Sequence, residues 1–172
     1  MEDVVITSAV RTPRGGFQGD LDSFSASELG GKAIEGALEQ AGIDRVDEVI
    51  MGNVLGAGQG QAPARQASFS AGLAETIPAT TLNKMCGSGL KAVMLADNEI
   101  RSRVADTIIA GGMESMSNAP LLMKKNPNKI GHHKMLDSMV HDGLWDAYNE
   151  MHMGSCAEML AVSKNYSREA QD

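Results

Sequence analysis

Aromatic side chains are scarce in this chain: Phe, Trp and Tyr together make up 3% of its 172 residues. Cores of all-β sandwiches rely heavily on such rings, so an all-β fold is disfavoured. Cysteine is rarer still. The two present, Cys86 and Cys156, are too few for a disulfide framework and are not spaced as zinc ligands. Positive charge is in deficit, with 15 Lys+Arg against 22 Asp+Glu and a formal net charge of −7. Neither nucleic acid nor an anionic membrane surface is therefore expected as a partner, because both require a basic face. No apolar run approaches the ~20 residues that span a bilayer, since the longest is broken by Lys91 and Asp97, and a soluble protein is expected. The start, Met1-Glu2-Asp3-Val4-Val5, has neither the basic opening of a secretory signal nor the Arg-rich, acid-poor character of a transit peptide. It reads as cytoplasmic.

What the chain has is a globular balance of 42% hydrophobic and 22% charged residues, with 19 Gly and 12 Met. Aliphatic side chains around many glycines suit a layered α/β structure. The pattern along the chain agrees. Val4 to Val10 is a β-branched run stopped by Arg11-Thr12-Pro13, which predicts a buried strand. Ser25 and Glu28 form a capping-box pair ahead of Leu29, Ile34, Leu38 and Ala41, and Gly42 supplies the stop. A second strand is predicted within Val46 to Val54, a second helix from Gln61 to Leu73 and a third strand from Ala79 to Lys84. The longest helix is predicted from Gly87 to Val104; its opening is apolar all round, so it is expected to be covered on both sides. Thr107 to Ala110 reads as a fourth strand. Four alternations of strand and helix predict a layered α/β sheet.

After Met116 the periodicity fades. Ser117 to Val140 carries Pro120, Pro127, Lys124, Lys125, Lys129 and His132-His133, so a loop-rich excursion is expected, with a helix from Gly154 to Tyr166 beyond it. Two regions follow, 1–116 and 117–172. Ser167 to Asp172 reads as the cap and first turn of a further helix. One turn alone is not stable, so a larger fold is expected.

The most informative stretch is Leu82-Asn83-Lys84-Met85-Cys86-Gly87-Ser88-Gly89-Leu90. It puts a cysteine at the joint between a strand and a buried helix, with Gly87, Ser88 and Gly89 giving a sharp turn and amides close by. A helix N-terminus favours the thiolate, which can attack an acyl carbonyl while neighbouring amides accept the oxyanion. The same pattern fits a buried structural cysteine beside a tight turn.

The flanking residues resemble the acyl-enzyme signature of the thiolase family. The resemblance continues in order through Val5 to Pro13, Ala110 to Ser117, Gly131 to Asp137, Asp142-Gly143-Leu144 and His152-Met153-Gly154, and so covers essentially the whole chain. It implies a thiolase-like half-fold, α/β/α with a mixed sheet, followed by part of an irregular, α-rich loop domain that closes over the site and makes dimer or tetramer contacts. It implies acyl transfer between CoA thioesters, with Cys86 as the nucleophile and acetyl-CoA C-acetyltransferase as the favoured activity. Leu144, His152 and Met153 are implied to lie near the CoA thioester. Acetyl-CoA and acetoacetyl-CoA are the implied partners; no metal or redox cofactor is implied.

One departure counts against a complete enzyme. The family's Gly-His-Pro histidine, its oxyanion asparagine and its Cys-x-Gly cysteine have no counterpart motif here, and the setting of Cys156, Gly154-Ser155-Cys156-Ala157-Glu158, does not supply one. A second polypeptide carrying those motifs is one expectation. A degradative 3-ketoacyl-CoA thiolase and a non-catalytic fragment or scaffold are the alternatives. His132-His133 reads as solvated loop rather than a metal site, and the Gly56 to Gly60 segment lacks the spacing of a phosphate-binding loop.

Overall fold

A computed structural model describes residues 3–125, 130 and 132–172. Met1 and Glu2 of the acidic start, Pro127 and Lys129 of the expected loop, and Gly131 of the His132-His133 segment lie outside the described residues. The chain divides into two compact units, Met1–Ala119 and Pro120–Asp172.

The first unit alternates helix and strand: α1 (Ala26–Ala41), β1 (Glu48–Gly52), α2 (Pro63–Ser70), β2 (Ala79–Leu82), α3 (Ser88–Arg101) and β3 (Ile108–Gly112). The capping box at α1 forms as the sequence predicts. The Ser25 hydroxyl accepts from the Glu28 amide, the Glu28 carboxylate accepts from the Ser25 amide, and Gly42 ends the helix at φ 69°. The three strands make one parallel sheet in the order β2-β1-β3, with Ile50 opposite both Thr80 and Ala110. Central β1 is buried almost throughout, as a strand covered on both faces requires. Its alternation sorts the layers. Val49 and Met51 join Ile34 and Leu38 of α1 and Ala64 and Ala67 of α2 in the main apolar cluster. Gly52 faces Ser88 at the start of α3 on the other side of the sheet. This is an α/β/α arrangement. Each fully buried Val or Ile in it contributes about 1.5–3 kcal/mol relative to exposure.

Two expectations need correction. Val4 to Val10 forms no ladder: it is extended but unpaired, with Val5 and Ile6 72% and 78% exposed and the Ala9 amide donating to Gln40 Oε1 at 2.9 Å. The physical reason is the lack of a ladder partner, which β-branched residues need to hold a strand. Val4–Arg11 and Thr107–Gly112 line one cavity of about 960 Å³ together with side chains of α1 and α3, and among the described residues β3 pairs with β1 alone. The second correction concerns α3, which is covered on one side only. Ala92 and Ala96 are buried, whereas Leu90, Val93 and Met94 stay exposed.

The α3 and β1 layers also bring two carboxyls together. The pKa of Glu99 is raised, first by burial, then by its hydrogen bond with Glu48 and by the charge of Glu48, while Thr80 Oγ1 donates to Glu48 Oε1 at 2.9 Å. A carboxyl whose pKa is raised by folding stabilises the fold below its unfolded pKa and loses that contribution as pH climbs through the raised value. Glu99→Gln is therefore expected to melt like the parent in acid but at a higher temperature near pH 7. Thermal scans at both pH values check this, and an equal offset at both would sink the explanation.

The second unit has little buried interior. Short antiparallel pairs join β4 (Leu121–Leu122) to β5 (Leu136–Asp137) and β6 (Trp145–Asp146) to β7 (Met151–His152). A π-helix, Met139–Leu144, lies between β5 and β6, and α4 (Met153–Lys164) and α5 (Arg168–Gln171) follow. Ser138 is buried and anchors the unit's start, its hydroxyl donating to the Pro120 carbonyl at 2.6 Å. The Asp146 carboxyl is held below the usual carboxylate range, first by the Asn149 side-chain amide and then by the Tyr148 and Asn149 backbone N–H groups, which fixes the β6–β7 turn. Ser167 caps α5 by accepting from the Ala170 amide. No helix among the described residues is long and apolar enough to cross a membrane.

Candidate active site

The site is a turn between the end of β2 and the start of α3. Asn83 begins it, because its side-chain oxygen accepts from the Met85 amide two residues on at 2.9 Å. This is the Asx geometry that asparagine favours at turns. Met85 then adopts φ 50°, a left-handed conformation uncommon for a side chain of its size. Ser88 locks the turn from inside: its hydroxyl accepts from the Lys84 amide at 2.9 Å and donates to the Met85 carbonyl at 2.5 Å. Two backbone bonds, Gly87 N–H to Lys84 C=O and Ser88 N–H to Met85 C=O, complete it. Cys86 sits at the crest and is exposed.

The turn leads straight into α3, whose cap residue, Gly87, makes no side-chain capping bond. The first-turn amides of a helix have no acceptor within it, so an uncapped start directs donors and the positive end of the helix dipole at whatever lies in front. Cys86 immediately precedes that start. An exposed thiol there can accept an acyl group, while the Gly87 and Ser88 N–H groups are taken up by the turn's own carbonyls. All four histidines, at 132, 133, 141 and 152, belong to the second unit.

Of the residues singled out in the sequence, Cys86, Gly87, Ser88 and Gly89 come together on this turn. Leu144, His152 and Met153 fall in the second unit. There they share one end of the β6–β7 ladder, for Trp145 pairs with His152, Leu144 precedes that pair and Met153 follows it. His152 caps α4 in an extended conformation without a side-chain bond. Cys156 is half-buried with its thiol donating to Asp146 Oδ2 at 3.9 Å, a contact that occupies it structurally. Among the described residues no three His, Cys, Asp or Glu side chains gather as a metal site requires.

Three contributors were not singled out by sequence reasoning. Gly52 lets the start of α3 rest on β1: a Cβ there would lie 2.5 Å from Ser88 Cβ and 2.7 Å from the Ser88 carbonyl carbon. Asn83 carries a local signal, an asparagine just past a strand and two residues before a left-handed position. Glu114 carries none, since it reaches the loop after β1 through space, accepting from the Val54 and Leu55 amides at 2.9 and 3.0 Å.

A family model described as "Thiolase, N-terminal domain" matches residues 4–172. Among curated relatives, the mitochondrial acetyl-CoA acetyltransferase of Xenopus tropicalis is 53% identical across all of this chain, which spans 41% of that protein. The acetyl-CoA acetyltransferase of Pseudomonas aeruginosa is also 53% identical across all of this chain, which spans 45% of it. The mitochondrial enzyme of Danio rerio is 52% identical, with 41% of its length covered. The chain thus spans less than half the length of these relatives.

Proposed function

Since the chain belongs to the thiolase family, to the N-terminal domain of which 4–172 correspond, we propose that it is the acyl-carrying part of an acetyl-CoA C-acetyltransferase. The observation that carries this is the exposed Cys86 thiol at the crest of the turn before the uncapped start of α3. In the proposed reaction the Cys86 thiolate attacks the carbonyl of acetyl-CoA, CoA thiolate leaves, and S-acetyl-Cys86 remains. A second acetyl-CoA loses an α-proton to a base, and the carbanion attacks the acetyl carbonyl. The C–S bond to Cys86 breaks and acetoacetyl-CoA is released; the reverse direction is thiolysis.

That base, and the group that activates Cys86, are proposed to lie on sequence outside this chain, in the Gly-His-Pro and Cys-x-Gly motifs of the family. The cavity lined by Val4–Arg11 and β3 supports the same reading, because a sheet edge and an extended segment line it without pairing. Leu144, His152 and Met153 are proposed to approach CoA, with Gly87, Ser88 and Gly89 supporting the turn. No cofactor beyond the CoA thioesters is required. A dimer or tetramer of thiolase type in the cytoplasm belongs to the proposal, although the animal relatives are named mitochondrial. The acetyl-specific activity is favoured over a longer-chain degradative one because the similar relatives carry acetyl-CoA acetyltransferase names.

The nucleophile is tested directly with iodoacetamide. Cys86 is expected to be alkylated about tenfold faster than Cys156 near neutral pH, given its exposure and helix-start position. Peptide mass spectrometry over a time course reads both rates. Equal rates in the folded chain would remove the support for an activated thiol.

A further inference from the structure

We propose that Glu114 is a positioning residue for Cys86: its carboxylate gathers the loop after β1 and, through that loop, fixes the turn that presents the thiol. It accepts from the Val54 amide with Oε2 at 2.9 Å, and with Oε1 from the Leu55 amide at 3.0 Å and from Asn53 Nδ2 at 2.8 Å. Asn53 is buried, and its side-chain amide also donates to the Met113 carbonyl at 3.2 Å, so the loop is tied to the chain on both sides of Glu114. Three donors converging on one carboxylate hold Asn53, Val54 and Leu55 in a single arrangement.

That loop is in turn the neighbour of the Cys86 turn. The Asn53 amide donates to the Leu82 carbonyl at 3.0 Å, the last residue of β2. The Val54 carbonyl accepts from Asn83 Nδ2 at 3.5 Å, a long contact. The other end of the Asn83 side chain accepts from the Met85 amide and helps hold the left-handed φ that places Cys86. The backbone bond to Leu82 and the contact to Asn83 thus both lead from the Glu114 cluster to the turn. Glu114 itself touches neither Cys86 nor the first turn of α3 by any hydrogen bond in the structure. Its segment, 111–118, also helps hold the region before α1, where Ser115 Oγ and Asn118 Nδ2 donate to the Phe24 carbonyl at 3.0 and 2.9 Å. The carboxylate therefore has rigid backbone on both sides.

This inference rests on the reading of Cys86 as the nucleophile, and the test separates the two. Glu114→Ala, Glu114→Gln and Asn83→Ala are made in the full chain. Each is followed by amide hydrogen exchange and by iodoacetamide labelling of Cys86 across pH, with Cys156 as the internal reference. In Glu114→Ala, exchange across 82–88 is expected to rise about tenfold while α1 and the centre of β1 keep their protection. The pH profile of Cys86 labelling is expected to shift while that of Cys156 stays. Glu114→Gln is expected to fall between, because one carbonyl oxygen can keep the Oε1 bonds whereas its amide faces the Val54 N–H. Asn83→Ala, which leaves the carboxylate cluster whole, is expected to reproduce the change at Cys86. Unchanged exchange at 82–88 in all three variants would overturn the inference. So would equal loss of protection in α1, which would make Glu114 a general stabiliser of the unit. Parent Cys86 labelling no faster than Cys156 would instead sink the nucleophile reading and leave the positioning result standing.

Discussion

Supplied with acetoacetyl-CoA and CoA, the 172-residue chain alone is expected to release acetyl-CoA at no more than the uncatalysed rate. Cys86 is exposed, and among the described residues no base is hydrogen-bonded to it. Removing one acid or base from a catalytic set typically costs 10²–10⁴-fold. Where groups act as a unit, losing one can cost nearly as much as losing them all, on the order of 10⁶-fold. Mixing the chain with a polypeptide that bears the Gly-His-Pro and Cys-x-Gly motifs and matches the remainder of the relatives is expected to bring turnover back. Cys86→Ala in that mixture is expected to abolish it. A spectrophotometric thioester assay decides the matter: robust turnover by the pure chain, or by the mixture with Cys86→Ala, would overturn the assignment, and a mixture that stays inactive would favour the non-catalytic scaffold.

Gly52→Ala is expected to give the largest loss of stability among single-methyl changes near the site. The new Cβ would sit 2.5 Å from Ser88 Cβ, 2.7 Å from the Ser88 carbonyl carbon and 2.9 Å from the Gly89 nitrogen. Two of these three atoms belong to backbone, so no rotamer change relieves the clash. Central β1 is held by β2 and β3 on either side, which leaves the start of α3 as the part that moves. Overpacking of this kind costs about 1–3 kcal/mol, and the upper end applies where backbone must shift. The melting temperature is expected to fall by roughly 5 °C or more, and Cys86 labelling is expected to change with it. Gly87→Ala is the comparison, because its nearest contact would be the Lys84 carbonyl oxygen at an ordinary 3.4 Å and a far smaller drop is expected. Equal drops in the two variants would show that the contact between Gly52 and Ser88 does not hold the helix start.

The parts of this architecture legible in the sequence are those decided within a few residues. Ser25, Glu28 and Gly42 announce α1 because a capping box and a left-handed stop are local geometry. Cys86 stands out because a cysteine followed by Gly-Ser-Gly at a strand-to-helix joint is a local pattern too. Val4 to Val10 departs from its predicted strand for the opposite reason: β-branched residues prefer a strand only where another strand supplies the ladder, and that partner is a matter of tertiary structure. The composition of α3 likewise reported its apolar surface but not that one flank is bare. Gly52 and Glu114 were invisible as contributors because each acts on residues far along the chain. A glycine's value lies in what rests against it, and a carboxylate's in which amides turn toward it.

The unpaired outer edge of β3 has a consequence for handling the molecule. Among the described residues Ile108-Ile109-Ala110 pairs on the β1 side alone, which leaves the backbone groups of its other side without a ladder, and Val5 and Ile6 are exposed as well. An open edge flanked by β-branched side chains is a template on which another copy can add a strand. Produced alone at high concentration, the chain would be driven toward edge-to-edge aggregation by the same surface that a completed sheet would hide. Co-production with a complementing polypeptide would protect its solubility.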